Sequence, residues 1–195
     1  LKIIELRILN LKILHTREKV MIVYTVQKLT TYKLMREQGY LTGNFKYAMC
    51  PEAYKWMMDQ MEKRLPNYKS EVPPIWVWER RVNRNEQGLF KKGTKGVILK
   101  LDIPKENILW SPFEEWHSIL NKGPITFDEM EFNEFDKRGY LLHEIKETWE
   151  RLFDMDWLAS RPKEWAGNFD DEWMQGVTPK ITMDQIVKLE RFIAK

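Results

Sequence analysis

The residues able to do chemistry are few and widely spaced. Three histidines, His15, His117 and His143, and a single cysteine, Cys50, lie far apart along the chain. A zinc site needs four ligands in closely spaced pairs, so the pattern excludes a structural metal site. Cys50 precedes Pro51 at the start of a helical pattern, where a helix dipole lowers a thiol pKa and favours a nucleophile. No neighbour in the sequence supplies the base that such a nucleophile needs, and a small residue at a helix start is the plainer reading. His117, beside Trp116, is of the type that moves protons near neutral pH, or that hydrogen-bonds within the fold; His143 reads as solvent-facing. Asp170-Asp171-Glu172 immediately precedes a short β-prone stretch from Trp173 to Val177. Glu172 is therefore a candidate general base, or an acceptor for a sugar hydroxyl, held at the head of a strand. Glu144, Glu147 and Glu150 fall at helical spacing among basic residues, which is the pattern of a solvated face.

No Walker loop, dinucleotide glycine fingerprint or nucleophile elbow occurs. Lys92-Gly93-Thr94-Lys95-Gly96 lacks the phosphate-loop spacing and reads as a hairpin turn. Nine tryptophans are the main compositional oddity, and most are expected in the core, with partners for their indole N–H groups. Trp76 and Trp78 alternate along a predicted strand and share one face, next to Arg80, Arg81 and Arg84. That arrangement suits stacking of a base or nicotinamide beside a phosphate-binding charge. It equally fits a core strand that runs into a solvated basic loop, residues 79–96, which also carries Lys91, Lys92 and Lys95.

These residues are set in a chain of 195 residues with 43% hydrophobic content, enough for one continuous core. Its 32 Lys and Arg against 29 Asp and Glu give a net charge of +3, without the strong basic bias of a dedicated duplex binder. One cysteine cannot form an internal disulfide, and no apolar run is long enough to span a bilayer, so a cytoplasmic protein with no membrane partner is expected. Met21-Ile-Val-Tyr-Thr-Val reads as the first strand of a domain. Residues 1–20 are accordingly expected to be an extension outside a domain spanning 21–195.

The patterning predicts an α+β fold, a single domain with a small mixed or antiparallel sheet flanked by three to four helices. After the first strand, Thr30 and Thr31 are expected to cap a helix with Leu34 and Met35 inward, ending at Gly39. A second helix starts at Pro51 and buries Ala53, Trp56, Met57, Gln60, Met61 and Leu65. Strands are predicted at 75–78 and 97–103. Ser111-Pro112-Phe113-Glu114 reads as a capping box opening a helix to about Asn121. Residues 127–136 read as a surface connection, and 140–153 as one amphipathic helix with Lys146–Glu150 and Glu147–Arg151 pairs. Trp157 and Trp165 are expected in loops. At the end, Thr182 and Gln185 fit a capping box, while 186–193 leans towards a strand.

Several segments together resemble a bacterial and phage family, domain of unknown function 3841. They are Tyr24-Thr-Val-Gln27, Ala53-Tyr-Lys-Trp-Met57, Pro74-Ile-Trp-Val-Trp78, Ser111-Pro-Phe-Glu-Glu-Trp-His-Ser-Ile-Leu-Asn121, Thr148-Trp-Glu-Arg-Leu-Phe-Asp154 and Gln175-Gly176. The stretch from Ser111 to Asn121 is the most specific, with Pro112 standing where the family pattern has an Asp. The layout also resembles ADP-ribosyltransferase-like folds. That likeness implies NAD as the ligand, with Gln27 and Tyr54 positioning it, Trp78 or Trp116 stacking on it, Gln175 or Glu172 on the late strand, and Glu172 polarising the ribose. Two other readings accompany it. One is a binding module for a nucleotide or nucleic acid without catalysis, using Arg80, Arg81, Arg84, Lys91, Lys92 and Lys95. The other is an accessory protein that meets a partner through exposed aromatics.

Overall fold

A computed structural model describes residues 20–48, 50–66, 68–69, 71–85 and 89–195. Residues 1–19 of the expected N-terminal extension lie outside that set. The first strand, β1 (Val20–Lys28), alternates apolar and polar residues and runs directly into α1 (Leu29–Gln38). Further along come β2 (Tyr40–Leu41), α2 (Pro51–Arg64), β3 (Ile75–Trp78), β4 (Lys95–Pro104) and β5 (Leu109–Pro112). The helices α3 (Phe113–Leu120), α4 (Glu129–Lys137), α5 (Leu142–Thr148), α6 (Met155–Ala159) and α7 (Lys163–Ala166) follow, then β6 (Met174–Thr178), β7 (Ile181–Thr182) and β8 (Ile186–Ile193). Six strands form one sheet in the order β5-β6-β3-β1-β4-β8, while β2 and β7 pair separately. Every pair whose register is given, β1 with β3 and β4, β4 with β8, and β2 with β7, is antiparallel. The fold is α+β, and four of the helices are eight residues or longer among the described residues.

The chain divides into two compact units. One is built from the described residues of Leu1–Ala48, Met57–Leu109 and Gly176–Lys195, the other from those of Met49–Trp56 and Trp110–Gln175. In the first unit β1 lies between β3 and β4, and its nine residues pair with β4 from Val20↔Pro104 to Lys28↔Gly96. Strand alternation then sorts the side chains. Val23, Val97, Leu99, Leu101, Ile103 and Val77 are fully buried on one face. Met35, Met57 and Met61, also fully buried, extend this core.

Several predicted features take a different form. Lys28, not Thr30 or Thr31, is the N-cap residue of α1, because the helix starts at the residue after the strand; Gly39 ends it with φ 85°, the left-handed conformation that glycine adopts without strain. Met35 is buried, whereas Leu34, one position round the helix, is 52% exposed. β3 and β4 are not partners in a hairpin, since β1 lies between them in the sheet. Among the described residues of the connection, Lys91–Thr94 close a turn through the Thr94 N–H and the Lys91 carbonyl at 3.0 Å.

In the second unit Ser111 belongs to β5 and caps nothing. The expected surface connection holds α4, capped by the Asp128 side chain accepting from Glu131 N–H. The expected helix at 140–153 is two elements, α5 and a 3₁₀ turn over Trp149–Phe153, and Lys146 and Arg151 pair with Glu52 and Glu131. Trp157 and Trp165 fall in the short helices α6 and α7. Both readings of the C-terminal segment meet: Thr182 and Gln185 make the capping box of a 3₁₀ turn, and 186–193 is β8. No helix among the described residues is long and apolar enough to cross a membrane.

Gly43 shows how tightly the first unit is packed. Its N–H donates to the Pro73 carbonyl at 3.0 Å, and a Cβ there would lie 2.2 Å from that oxygen and 2.6 Å from the Pro74 oxygen. Both obstacles are backbone, so neither can rotate away. Gly43→Ala is expected to cost about 1–3 kcal/mol, read as a lower urea midpoint with an unchanged m-value.

Candidate functional site

Five of the residues singled out in the sequence, Tyr54, Trp116, His117, Glu172 and Gln175, fall in the second unit, four of them on α3, on the chain entering β6 or on β6 itself. Helix α3 has Pro112 as its N-cap residue and therefore no side-chain cap, which would leave its first N–H groups unsatisfied. The backbone supplies the missing partner: Phe113 N–H donates to the Trp173 carbonyl at 2.9 Å. That bond fastens the residue after Glu172 to the start of α3. One turn on, His117 Nδ1 lies 2.8 Å from the Phe113 carbonyl. A carbonyl only accepts, so Nδ1 carries a proton here, and Nε2 is the ring nitrogen left to face other groups. The Phe113 ring contacts both neighbours, at 4.3 Å from the His117 ring and 6.0 Å from the Trp173 ring.

Beside this backbone relay is a cluster of charge. Glu114 and Glu115 occupy the first turn of α3, where the helix dipole favours carboxylates. Arg161 forms an ion pair with Glu115, their side chains being only 5% and 12% exposed. Its guanidinium also donates to the carbonyls of Leu158 and Thr126, both at 3.4 Å. Glu172 feels the same cluster. Burial pushes its carboxyl above the ordinary range, Glu115 and Glu114 push further, and Arg161 opposes them. The arrangement places a half-buried carboxylate, a guanidinium and an imidazole base around the N-terminal end of α3.

The remaining residues have supporting positions. Trp116 is 4% exposed and meets Tyr54 edge to face at 6.1 Å, so it holds the Tyr54 ring and has no open face for stacking. Gln175 is also buried, and its Nε2, like Ser111 Oγ on β5, has no hydrogen-bond partner among the described residues. Arg161 further lines a cavity of about 170 Å³ together with Lys163, Asn168, Phe169 and Asp170. This volume suits a ribose- or phosphate-sized group and is smaller than the roughly 300–1,000 Å³ of a whole-ligand pocket. Among the described residues, no group of His, Cys, Asp and Glu is arranged to hold a metal ion. Cys50 donates its S–H towards the Leu120 carbonyl at 3.9 Å, a packing contact.

Gln27 and Trp78 lie in the first unit, and the sheet turns them to opposite faces. Trp78 is directly across from Tyr24, whereas Gln27 alternates with Tyr24 and shares the face of Thr25. The Gln27 amide donates to Thr25 Oγ1 at 3.0 Å, and Thr25 Oγ1 donates to the Trp76 carbonyl at 2.9 Å. The structure thus does not bring Gln27 and Trp78 together. Arg80, Arg84, Lys91, Lys92 and Lys95 are exposed, and Arg81 pairs with Glu190 at 2.7 Å.

Sequence reasoning passed over Arg161, Glu115 and Phe113. Glu115 lies within the Ser111–Asn121 stretch and could have been found there. Arg161 carries no local signal of this role, because two of its three partners, Glu115 and Thr126, are 46 and 35 residues away.

The fold and this α3–β6 arrangement define an α+β domain with a carboxylate, guanidinium and imidazole cluster. The family described as Domain of unknown function (DUF3841) matches residues 22–186. The chain belongs to that family. No curated protein and no solved structure matches it.

Removing Arg161 would leave Glu115 buried without its counter-charge, with Glu172 nearby. Arg161→Met is expected to destabilise the protein by about 3–5 kcal/mol in urea denaturation. Adding Glu115→Gln to that variant is expected to restore part of the loss, because the orphaned charge is then gone.

Proposed function

We propose that this domain acts on a nucleotide with a ribosyl group, transferring ADP-ribose from NAD to an acceptor at the α3–β6 site. The observation that supports the reading is Glu172: a half-buried carboxylate at the head of a strand, held between other carboxylates and a guanidinium, with an imidazole base fastened to the same strand through Phe113. In such a transfer the bond from C1′ of the ribose to the nicotinamide nitrogen breaks, and its electron pair leaves on nicotinamide. Positive charge then develops at C1′. A carboxylate in a poorly solvated setting stabilises that charge more effectively than one in water. A nucleophile on the acceptor bonds to C1′, and its proton passes to a base, a role suited to Nε2 of His117.

The other side chains fit a sugar–phosphate ligand. Lys163, which lines the small cavity, suits phosphate oxygens. The Tyr54 ring, held by Trp116, suits contact with a planar base.

The ionisation of Glu172 gives the reading a pH signature. Its folded-state pKa is raised, so its contribution to stability is fully present below the ordinary carboxylate pKa and is lost as pH rises through the raised value. Ionised Glu172 is therefore what chemistry needs and what the fold resists. Glu172→Gln is expected to melt at the same temperature as wild type, or higher, at neutral pH, with the difference vanishing in acid. In the same samples, incubation with labelled NAD is expected to show product formation reduced roughly a hundredfold or more. Wild-type turnover is expected to fall as pH drops through a value above the usual carboxylate range. Equal labelling by Glu172→Gln, or none by wild type, overturns the reading.

A further inference from the structure

The bond from Phe113 N–H to the Trp173 carbonyl decides which charges lie side by side in the second unit. Glu114 follows Phe113 and Glu172 precedes Trp173, so a single 2.9 Å backbone bond has a carboxylate-bearing residue next to each of its ends. Glu115 comes one residue further along α3. Glu115 is answered by Arg161 in a pair whose side chains are 12% and 5% exposed, and Arg161 directs further donors to the carbonyls of Leu158 and Thr126. The half-buried Glu172 carboxylate has no ion pair and accepts no hydrogen bond among the described residues.

The segment that carries Glu172 has its own internal bonds. Gly167 leads into it with φ 76° and ψ −169°, a combination that glycine adopts and other residues do not. A 3₁₀ turn follows over Phe169–Asp171, in which Asp171 N–H donates to the Asn168 carbonyl at 3.0 Å and Glu172 N–H to the Phe169 carbonyl at 3.1 Å. The Asn168 amide also donates to the Asp171 carboxylate at 3.0 Å. Residues 168–173 can therefore shift as a piece without losing these bonds, and the Phe113–Trp173 bond fastens that piece to α3. The charged and titratable groups around Glu172 are Glu114, Glu115 and His117 of α3, Arg161 after α6, Lys163 of α7, and Asp170 and Asp171 of its own turn. Carboxylates dominate this set. Burial, then Glu115 and Glu114, hold the Glu172 carboxyl above its ordinary range, and Arg161 opposes them.

We propose that Glu172 is a pH-sensitive latch: protonated, it lets residues 168–173 close on α3, and ionised, it loosens the Phe113–Trp173 bond and frees the start of the helix. Ionisation sets a new negative charge beside Glu114 and Glu115 where screening is weaker than in water. Opening carries the carboxylate into solvent, and the bond given up is at a helix end, where water can take the place of the carbonyl. The sign follows from linkage. Opening returns the carboxyl towards its ordinary pKa, so it is disfavoured in acid and becomes favoured as pH rises through the raised value. As regulation the latch rests on the transferase reading, since the site it opens is the one proposed there, but the opening itself needs no ligand.

The test is native-state hydrogen exchange of the full chain, without NAD, from about pH 4 to about pH 8. Protection of the Phe113 amide, corrected for its intrinsic rate, is expected to fall as pH rises, by up to about tenfold for each unit by which the carboxyl is raised. Glu172→Gln is expected to keep that protection high and flat. Glu114→Gln, at an exposed side chain, is expected to make the fall shallower. The Leu65 amide, bonded to the Met61 carbonyl at 2.7 Å in the first unit, is expected to hold its protection throughout. A flat wild-type profile at Phe113, an undiminished fall in Glu172→Gln, or a parallel fall at Leu65 overturns the latch. Labelling by NAD that depends on Glu172, found beside a flat Phe113 profile, overturns the latch alone. A pH-dependent Phe113 with no labelling by wild type supports the latch and overturns the transferase reading.

Discussion

The pairing of β1 with β4 is the constraint on which the first unit depends. Nine consecutive residues are held in register, and because side chains alternate, a slip of β1 by one position would turn its two faces over. Val23 would then leave the core that Leu99, Leu101 and Ile103 line from β4, and Tyr24 would enter it. The penalty for a one-residue slip is therefore the whole apolar face of the slipped strand at once. The same alternation that builds the core also sets the opposite face, where Tyr24 lies across from Trp78 on one side and Lys100 on the other.

A different economy operates around α3. Its N-terminus lacks a side-chain cap because Pro112 occupies the capping position, and the helix draws a backbone carbonyl from Trp173 instead. A Ser or Asp cap would satisfy the helix without reference to any other segment. The backbone bond makes the helix start and the chain entering β6 interdependent, which fixes Glu172 by its neighbour. Proline at the capping position thus has a positional consequence beyond the helix: without a capping side chain, the helix needs the segment that carries the carboxylate.

The sequence disclosed those parts of the fold whose signals are local. The alternation at Val97–Ile103, the apolar stripe of Pro51–Leu65, the left-handed Gly39 and the capping box at Thr182–Gln185 were all readable, because each depends on residues within a turn or a strand. Misreadings arose where a distant partner altered a local preference. Ser111 has the chemistry of an N-cap but lies in a strand, as burial beside other strands outweighs capping propensity. The acidic, aromatic run at 127–136 resembles a loop by composition, yet one Asp128 cap is enough to start α4. Arg161 had no readable signal at all, since what matters is its burial against Glu115. The site was legible as a set of reactive residue types, and its electrostatics were not.

Those electrostatics also explain why the cluster is informative. A buried arginine–glutamate pair is a poor means of gaining stability, since a well-packed apolar pair often serves as well or better. Glu172 sets a further carboxylate beside it, and burial together with Glu115 and Glu114 pushes its pKa up against the pull of Arg161. On the proposed reading, the cost is offset because the charges act on a ligand. Structural ion-pair networks can shift a pKa as well, but they do so by pairing the group, which lowers a carboxylate. Glu172 is shifted the other way, by burial and by like charge, with Arg161 committed to Glu115, Leu158 and Thr126. The direction of the shift, more than its existence, sets Glu172 apart from the ion pairs elsewhere in the chain.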